Sequence, residues 1–528
     1  MDSENVVDHL IIGTGPSAVA AAMAFRRLGA KFEVVDAGFD LEPDRELKAE
    51  QLAKQEPQAW TEEDRDTLFP APKTSAKGVE KRFAFGSDFP YRMPEPLELR
   101  SENCVVDVSH GFGGFGNVWG AAVLPYADND LVGWPIGAKE LLPSYSNVSQ
   151  FVPISSVADD LERHFPRFNG DGGGLIASRQ IQGLARAFDR RKAALQQSGI
   201  WAGRSRVAVD SSGGPTTCRY CGYCLDGCAY GSIFNPRRLW KRLEAEGVVV
   251  HRNLYALEFR EREGGVDTTL LDLKSGQMRI LRARRIFLGT GAINSTRIVA
   301  RSLRLEKRPI RLKDSQYFFF PYLSYRKNAE APSFTLAEMF VEILNPALGP
   351  YFIHFQLYGL NSIFRQTIKA MVPSFLRRRV LLDQVEKRFY LFQGFLHSES
   401  SGELEFTLES REERKDKVLI RGIENPDSLR VARGAQRLLR KKLILHGIIP
   451  PVYLKMVPLG RSFHMGGSFP MGGQNAVFRS DRRGRPANLS RVHLLDAATF
   501  PSIPATTITF SIMANADRIV TESVGSSE

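Results

Sequence analysis

No stretch of the chain approaches the roughly 18 consecutive apolar residues of a membrane-crossing helix, so no span is expected. The opening Met1-Asp2-Ser3-Glu4-Asn5 is polar and acidic. It lacks the positive start and cleavage site of a secretory leader, and Val6–Ile12 is too short for a leader's apolar core. Cysteine is scarce: five in 528 residues, four of them in one run. That excludes a disulfide framework and suits a reducing compartment where thiolates bind metal, so the cytoplasm is the expected location. No zinc-finger, RNA-recognition or basic-zipper signature occurs and the positive charge is dispersed, which argues against nucleic acid as a partner. Internal repeats and low-complexity tracts are also missing.

What is present is the composition of a folded protein. With 43% hydrophobic and 25% charged residues the chain is not disordered, and its length suits two or three domains with sizeable cores. The net charge of +12 favours an anionic partner such as a phosphorylated substrate or an acidic membrane face.

The first forty residues read as one strand–turn–helix–strand unit. His9–Ile12 is a short apolar strand, Gly13-Thr14-Gly15-Pro16-Ser17-Ala18 a glycine-rich turn, Ala18–Leu28 an alanine-rich helix, and Lys31–Val35 a second strand ending at Asp36. Gly13 permits the tight turn, Gly15 lets the backbone approach a pyrophosphate, and Ala18 lets helix and strand pack closely. Pro16 and Ser17 begin that helix, whose N-terminal N–H groups and positive dipole end are offered to the phosphates. Asp36 can accept a ribose hydroxyl, which points to FAD or NAD rather than NADP. Gly113, Gly114 and Gly116 form a second loop that can lie against a cofactor, with Asn117 in hydrogen-bonding reach. Trp119 reads as core packing. Ile286–Leu288 is a buried strand leading to Gly289-Thr290-Gly291, a second close approach to a dinucleotide.

The cysteine run Cys218, Cys221, Cys224, Cys228 has the spacing C-x2-C-x2-C-x3-C. Such spacing suits an iron–sulfur cluster better than zinc, whose cysteine pairs are separated by a longer loop. Three ligand sets are open: all four of the run, three of them with Cys104, or three thiolates on a three-iron cluster. A metal-free stabilising loop is the other reading, and for Cys104 a small buried thiol is the simpler one. A cluster beside a flavin would split an electron pair, which favours a dehydrogenase over an oxidase.

Three segments carry a family resemblance: His110–Gly120, Ile286–Arg297, and the C-terminal block from His464-Met465-Gly466-Gly467 through Leu495-Asp496-Ala497-Ala498 to Thr507-Ile508-Thr509. In order and spacing the chain resembles the glucose–methanol–choline (GMC) family of FAD-dependent oxidoreductases. The resemblance implies an α/β (α+β) fold with a Rossmann-like FAD domain of the p-hydroxybenzoate-hydroxylase type and an antiparallel-sheet substrate domain. It implies oxidation of a CH–OH group by hydride transfer to FAD. His464 falls at the family's catalytic histidine, and a neutral imidazole can take the hydroxyl proton. The family's usual partner, Asn or His near the last helix, is replaced by Thr506 and Thr507, which can orient a hydroxyl but are poor bases. Asp496, with Ala497, falls where the family approaches the ribityl–phosphate part of FAD. The last helix, expected from Thr507 through Ile519, would bring Ile508 to the flavin. His397 reads as a structural histidine.

The remaining chain divides, on this reading, into FAD-domain segments at 1–124, 216–310 (with the cysteine loop) and 456–528, a helical insertion at 125–215 and a substrate domain at 311–455. Leu141–Val152 and Leu184–Gln197 suit helices, Gly170–Gly174 a loop, and 311–326 and 400–420 strands. Asn361–Phe395 mixes apolar and basic residues at helical spacing. It suits either an anionic membrane surface, peripheral at the inner face, or core-facing helices with a solvated basic side. The expected partners are a small alcohol (sugar, glycolipid or sterol-like) and an electron acceptor, protein or quinone. A non-redox or light-driven flavoenzyme of the same fold, or a flavin and cluster electron carrier without catalysis, are the rival functions.

Overall fold

The computed structural model describes residues 6–70, 73–74, 80–168, 173–324, 335–359, 388–443, 448–449 and 453–525. Its first sheet is built around Val7–Ile12. Glu33–Val35 lies parallel on one side and Met278–Leu288 parallel on the other. Val250–His251 extends the sheet past Glu33–Val35, and Val492–Leu494 pairs in parallel with Ile286–Leu288. Gly265–Asp272 and Leu254–Arg262 complete it as an antiparallel meander, giving seven strands among the described residues. Parallel strands are covered on both faces, so their sequences are continuously apolar. Ile11 enters one core with the first and last helices, while Leu10 and Ile12 enter the core on the opposite face.

The first helix, Pro16–Arg27, is buried almost all round, which its alanines allow: Ala18, Ala20, Ala21, Ala22 and Ala24 have no exposed surface. Small side chains let it lie against the last helix, Thr509–Val524, beside the sheet. Proline at its first position costs no hydrogen bond there.

A second sheet joins Met465–Gly466, Ile310–Asp314, Glu403–Arg411, Asp416–Ile423 and Leu97–Glu102 in that order. It is tied to the first through a buried ion triad. Arg297 and Arg301, on the helix Ala292–Ser302, both reach Asp416, at 2.7 and 2.6 Å. Removing one member of such a triad costs on the order of 3–5 kcal/mol, because the other charges stay buried. A third, antiparallel sheet runs Tyr317–Ser324, Phe389–Phe395, Ile353–Gly359, Met339–Ile343, Ile200–Arg204, with Ile448–Ile449 and Lys455–Met456 beside its first strand. Val431, Ala432, Ala435 and Leu439 of the helix Asp427–Leu443 pack under it.

Several expectations change in detail. The helix expected over Leu184–Gln197 is two, Arg179–Asp189 and Lys192–Gln196. The last helix begins at Thr509 rather than Thr507. The insertion 125–215 is not purely helical: Ile200–Arg204 pairs with Met339–Ile343 and becomes an edge strand of the third sheet. Its buried Ile200 and Trp201 suit a pleated surface, so this segment belongs structurally with the substrate sheet. Most of the basic stretch Asn361–Phe395 lies outside the described residues, and its end, Phe389–Phe395, is a strand. Within the loop Gly170–Gly174 only Gly173 and Gly174 are described. Among the described residues no helix is long and apolar enough to cross a membrane.

Candidate active site

Two cavities meet at Pro16 and Phe115, which line both. The first, about 790 Å³, lies at the carboxyl ends of the parallel strands, where an open α/β sheet accommodates ligands. Its floor is a crossing of two strand ends. Gly13 N–H bonds to Val35 O and Gly289 N–H to Ile12 O, both at 2.8 Å. A Cβ at Gly13 would stand 2.6 Å from the Gly289 carbonyl oxygen, and Gly13 holds φ +100°. Gly15, at the start of the helix, has no such neighbour, and no side chain caps that helix end. Its N–H groups therefore face the cavity as an anion site.

Asp36 closes the second strand and lines the same cavity. Its carboxylate accepts the Thr14 hydroxyl at 2.8 Å and the Gly38 N–H at 2.7 Å. Burial pushes it up to about 7 against those two hydrogen bonds. The loop of Gly113 and Gly114 folds over the turn: Gly113 N–H donates to Thr14 Oγ1 at 2.9 Å, and a Cβ at Gly114 would stand 3.4 Å from Gly15 Cα. Asn117 braces this loop from behind, donating to Phe112 O and Gly114 O at 2.9 and 2.8 Å, and does not line the cavity. Gly291 lines it at φ +83°. Ser17 instead sits behind the crossing, against Gly289.

Asp496 and Ala497 line neither cavity. Asp496 caps the short turn Ala497–Thr499 through Ala498 N–H at 3.0 Å and accepts Ser295 Oγ at 2.5 Å. Burial pushes its carboxyl up to about 6. Its place in this structure is to hold the C-terminal block onto the helix that starts at Gly291. Sequence reasoning missed His110, Tyr255 and Asn294, all of which line the first cavity. Nothing in the local sequence of Tyr255 marks it; His110 and Asn294 lay inside motifs but were not singled out.

The second cavity, about 1150 Å³, is walled by the third sheet and by loops from three distant parts of the chain. His464 lines it, with Thr507 and Ile508. The His464 ring stacks on Phe395, centroids 5.2 Å apart and planes at 21°. The ring makes no hydrogen bond to a described residue, and its Nδ1 is enclosed without a partner. Burial, and then the nearby His354, push it down to about 4, so it is neutral near pH 7. The loop is anchored from below: Ser462 Oγ donates to buried Asp314 at 2.6 Å and accepts His464 N–H at 3.0 Å, while Gly460 N–H reaches the other Asp314 oxygen. Phe463, at φ +59°, packs edge-on to Phe115 at 4.9 Å.

The two threonines separate. Thr507 accepts Leu124 N–H at 2.8 Å and keeps a hydroxyl hydrogen to donate into the cavity. Thr506 has no exposed surface, points to Asp130 at 3.5 Å and does not line the cavity. Trp119, read as core packing, lines the cavity and donates to Phe234 O at 3.0 Å. His397 is away from it, stacked on Tyr351 with centroids 3.7 Å apart.

The cysteine run does not form a donor set. Among the described residues no three His, Cys, Asp or Glu side chains are placed to hold a metal. Cys218 and Cys224 pack on the core of the first helix, Cys221 on the aromatic cluster of Trp60 and Phe69, and Cys228 on both. Burial pushes Cys218 up to about 12 and Cys224 to about 11. Cys104 lies in a different core, donating to Ile420 O at 3.4 Å. The iron–sulfur expectation therefore finds no support among the described residues, although the thiols of the run lie near enough to feel one another's charge.

No family model matches the chain, and neither does any curated protein. Among solved structures it is similar to pyridoxine 4-oxidase from Mesorbium loti, at 15% identity and a TM-score of 0.60, with 99% of this chain and 100% of that one covered. At that identity the likeness speaks for the fold: a Rossmann-like domain with an antiparallel-sheet domain, over the full length of both chains.

Proposed function

We propose that this chain is an FAD-dependent oxidoreductase of the GMC type that oxidises a CH–OH group of an alcohol. One observation carries the reading: a cavity lined by the glycine turn and Asp36 shares Pro16 and Phe115 with a second cavity, whose histidine ring is neutral and makes no hydrogen bond to a described residue. The residues suit FAD. Gly13, Gly15 and Gly114 leave the backbone uncovered where a pyrophosphate would lie, Asp36 offers a buried acceptor for ribose, and Thr507 and Ile508 border the second cavity next to Pro16. FAD, when bound, supplies a two-electron acceptor for hydride.

The protein's own part is positioning and proton transfer. His464, neutral at pH 7, takes the proton of the substrate hydroxyl as the carbon gives up its hydride. Thr507 orients that hydroxyl, and Phe395 holds the imidazole plane. The second cavity also gives a substrate room, which a mere electron carrier would not need. The thiol arrangement supports no relay, so the preference for a dehydrogenase over an oxidase loses its ground. The acceptor, a protein or a quinone, is proposed to meet the flavin directly. The five free cysteines suit the cytoplasm.

The test is FAD loading followed by anaerobic mixing with a panel of alcohols. Near-stoichiometric flavin and its bleaching in the dark by an alcohol are expected. A colourless protein that takes up no flavin overturns the proposal, and bleaching only under illumination would favour the light-driven alternative.

A further inference from the structure

The wall of the second cavity is charged in one sense only. Arg82 and Arg461 line it, and among the described residues no aspartate or glutamate does. Arg461 is mostly buried, with 10% of its side chain exposed, and sits 5.1 Å from the Phe463 ring centroid. It pairs with Asp107 at 3.4 Å, but Lys81 holds the other oxygen of the same carboxylate at 2.7 Å. Arg82 has no carboxylate within ion-pair distance among the described residues. The acid that feels its charge, Asp226, lies outside the cavity lining and is itself pushed up to about 6 by burial. Lys81 and Arg461 thus share the Asp107 carboxylate.

The acids behind the other walls do not offset this. Glu342 is occupied by His354 Nδ1 at 2.6 Å, Asp314 by Ser462 and Gly460, and Asp130 is pushed up to about 7 by burial. Tyr91, Tyr317 and Tyr358 line the cavity and all feel Arg82. Burial still keeps Tyr91 and Tyr358 at about 12, so these phenols are neutral. Guanidinium groups beside neutral phenols, in a partly desolvated space, are the donor set that recognises a carboxylate or phosphate. Such donors gain most from an anion in a space that excludes water.

We infer that the alcohol oxidised in this cavity carries an oxyanion group, carboxylate or phosphate, which Arg82 and Arg461 bind while its carbinol lies at His464. Arg461 is three residues before His464 on the same anchored loop, so anion and base are held in fixed relation. The inference rests on the reading of this cavity as the site of alcohol oxidation. It excludes quaternary-ammonium alcohols and disfavours the sterol-like ones expected from the sequence.

The test uses the flavin-loaded protein and matched alcohols: glucose, gluconate and glucose 6-phosphate, and benzyl alcohol against 4-(hydroxymethyl)benzoate. The charged member of a set is expected to bleach flavin with kcat/KM at least about tenfold above its neutral partner. Raised salt should increase its KM. Arg82→Gln raises KM for the charged alcohol about tenfold or more with kcat within about threefold. Its effect on KM for the neutral alcohol is at least about threefold smaller, and Arg82→Lys restores part of the loss. Calorimetry with inorganic phosphate and with benzoate, on wild type and Arg82→Gln, reads the pocket without turnover and separates the phosphate arm from the carboxylate arm. If no alcohol bleaches the flavin but these anions bind through Arg82, the oxidation reading fails and the anion pocket stands. Equal rates for charged and neutral alcohols, or anion binding that is absent or indifferent to Arg82→Gln, overturns the inference.

Discussion

Thr14 donates its hydroxyl hydrogen to Asp36 across 2.8 Å and takes the Gly113 N–H on the same oxygen at 2.9 Å. One side chain thereby couples the glycine-rich turn, the end of the second strand and the loop that covers them. Trp240 Nε1 adds a bond to the Thr14 carbonyl at 2.8 Å.

Asp36→Asn removes a charged acceptor from that assembly. FAD affinity should fall roughly 10- to 100-fold, the worth of a charge-assisted hydrogen bond. In the wild type, a ligand hydroxyl favours the ionised form of a carboxyl raised to about 7. Affinity should then rise as pH goes from 6 to 8, and this slope should vanish in Asp36→Asn. Equilibrium flavin fluorescence across that range checks both.

Gly13→Ala and Gly15→Ala should part company. The first drives a Cβ to 2.6 Å from the Gly289 carbonyl oxygen at a backbone angle of +100°, and is expected to cost about 1–3 kcal/mol of stability. The second meets nothing closer than 3.7 Å, at an ordinary φ of −67°. It should keep the melting temperature of the flavin-free protein and lose flavin. Thermal unfolding beside a flavin-to-protein ratio distinguishes the two.

His464→Ala should lower the rate of flavin bleaching by about 10²- to 10⁴-fold, the range for a lost general base, with FAD still bound. Because the imidazole is held near 4, the acid limb of kcat/KM belongs near pH 4, not at the ordinary 6.5. The sign for stability agrees: a folded value below the unfolded one means that the unfolded chain takes the proton first. The contribution of His464 is whole above 6.5 and is lost as pH falls toward 4. Stopped-flow bleaching against pH, and acid unfolding of wild type against His464→Ala, give the two readings.

Iron and acid-labile sulfide should be far below one per chain in anaerobically purified protein, since no group of side chains placed to hold a metal occurs among the described residues. Cys221→Ser should leave flavin content unchanged and lower stability modestly by placing a hydroxyl among aromatic rings. Stoichiometric iron with sulfide would show that the loop rearranges around a cluster.

Much of the first cavity was legible because its elements are local in sequence. Gly13, Gly15, Pro16 and Asp36 fall within one strand–turn–helix–strand unit, and each does a job that needs its residue type there. Asp496 and Asn117 were expected at the cofactor, but their bonds run to Ser295, Ala498, Phe112 and Gly114 and neither lines the cavity. Thr506 and Thr507 are adjacent, and only the direction each side chain takes separates them.

The order of residues alone determined the strand ends, the glycine turn and the presence of one histidine in a motif near the C-terminus, because these follow from short-range sterics and periodicity. Tertiary structure decided which apolar clusters the thiols of the run pack on, that Arg82 and Arg461 line one cavity from almost four hundred residues apart, and that burial keeps His464 neutral near pH 7. Those outcomes depend on burial and on charges brought together by the second and third sheets, and neither is encoded in any window of the chain short enough to read.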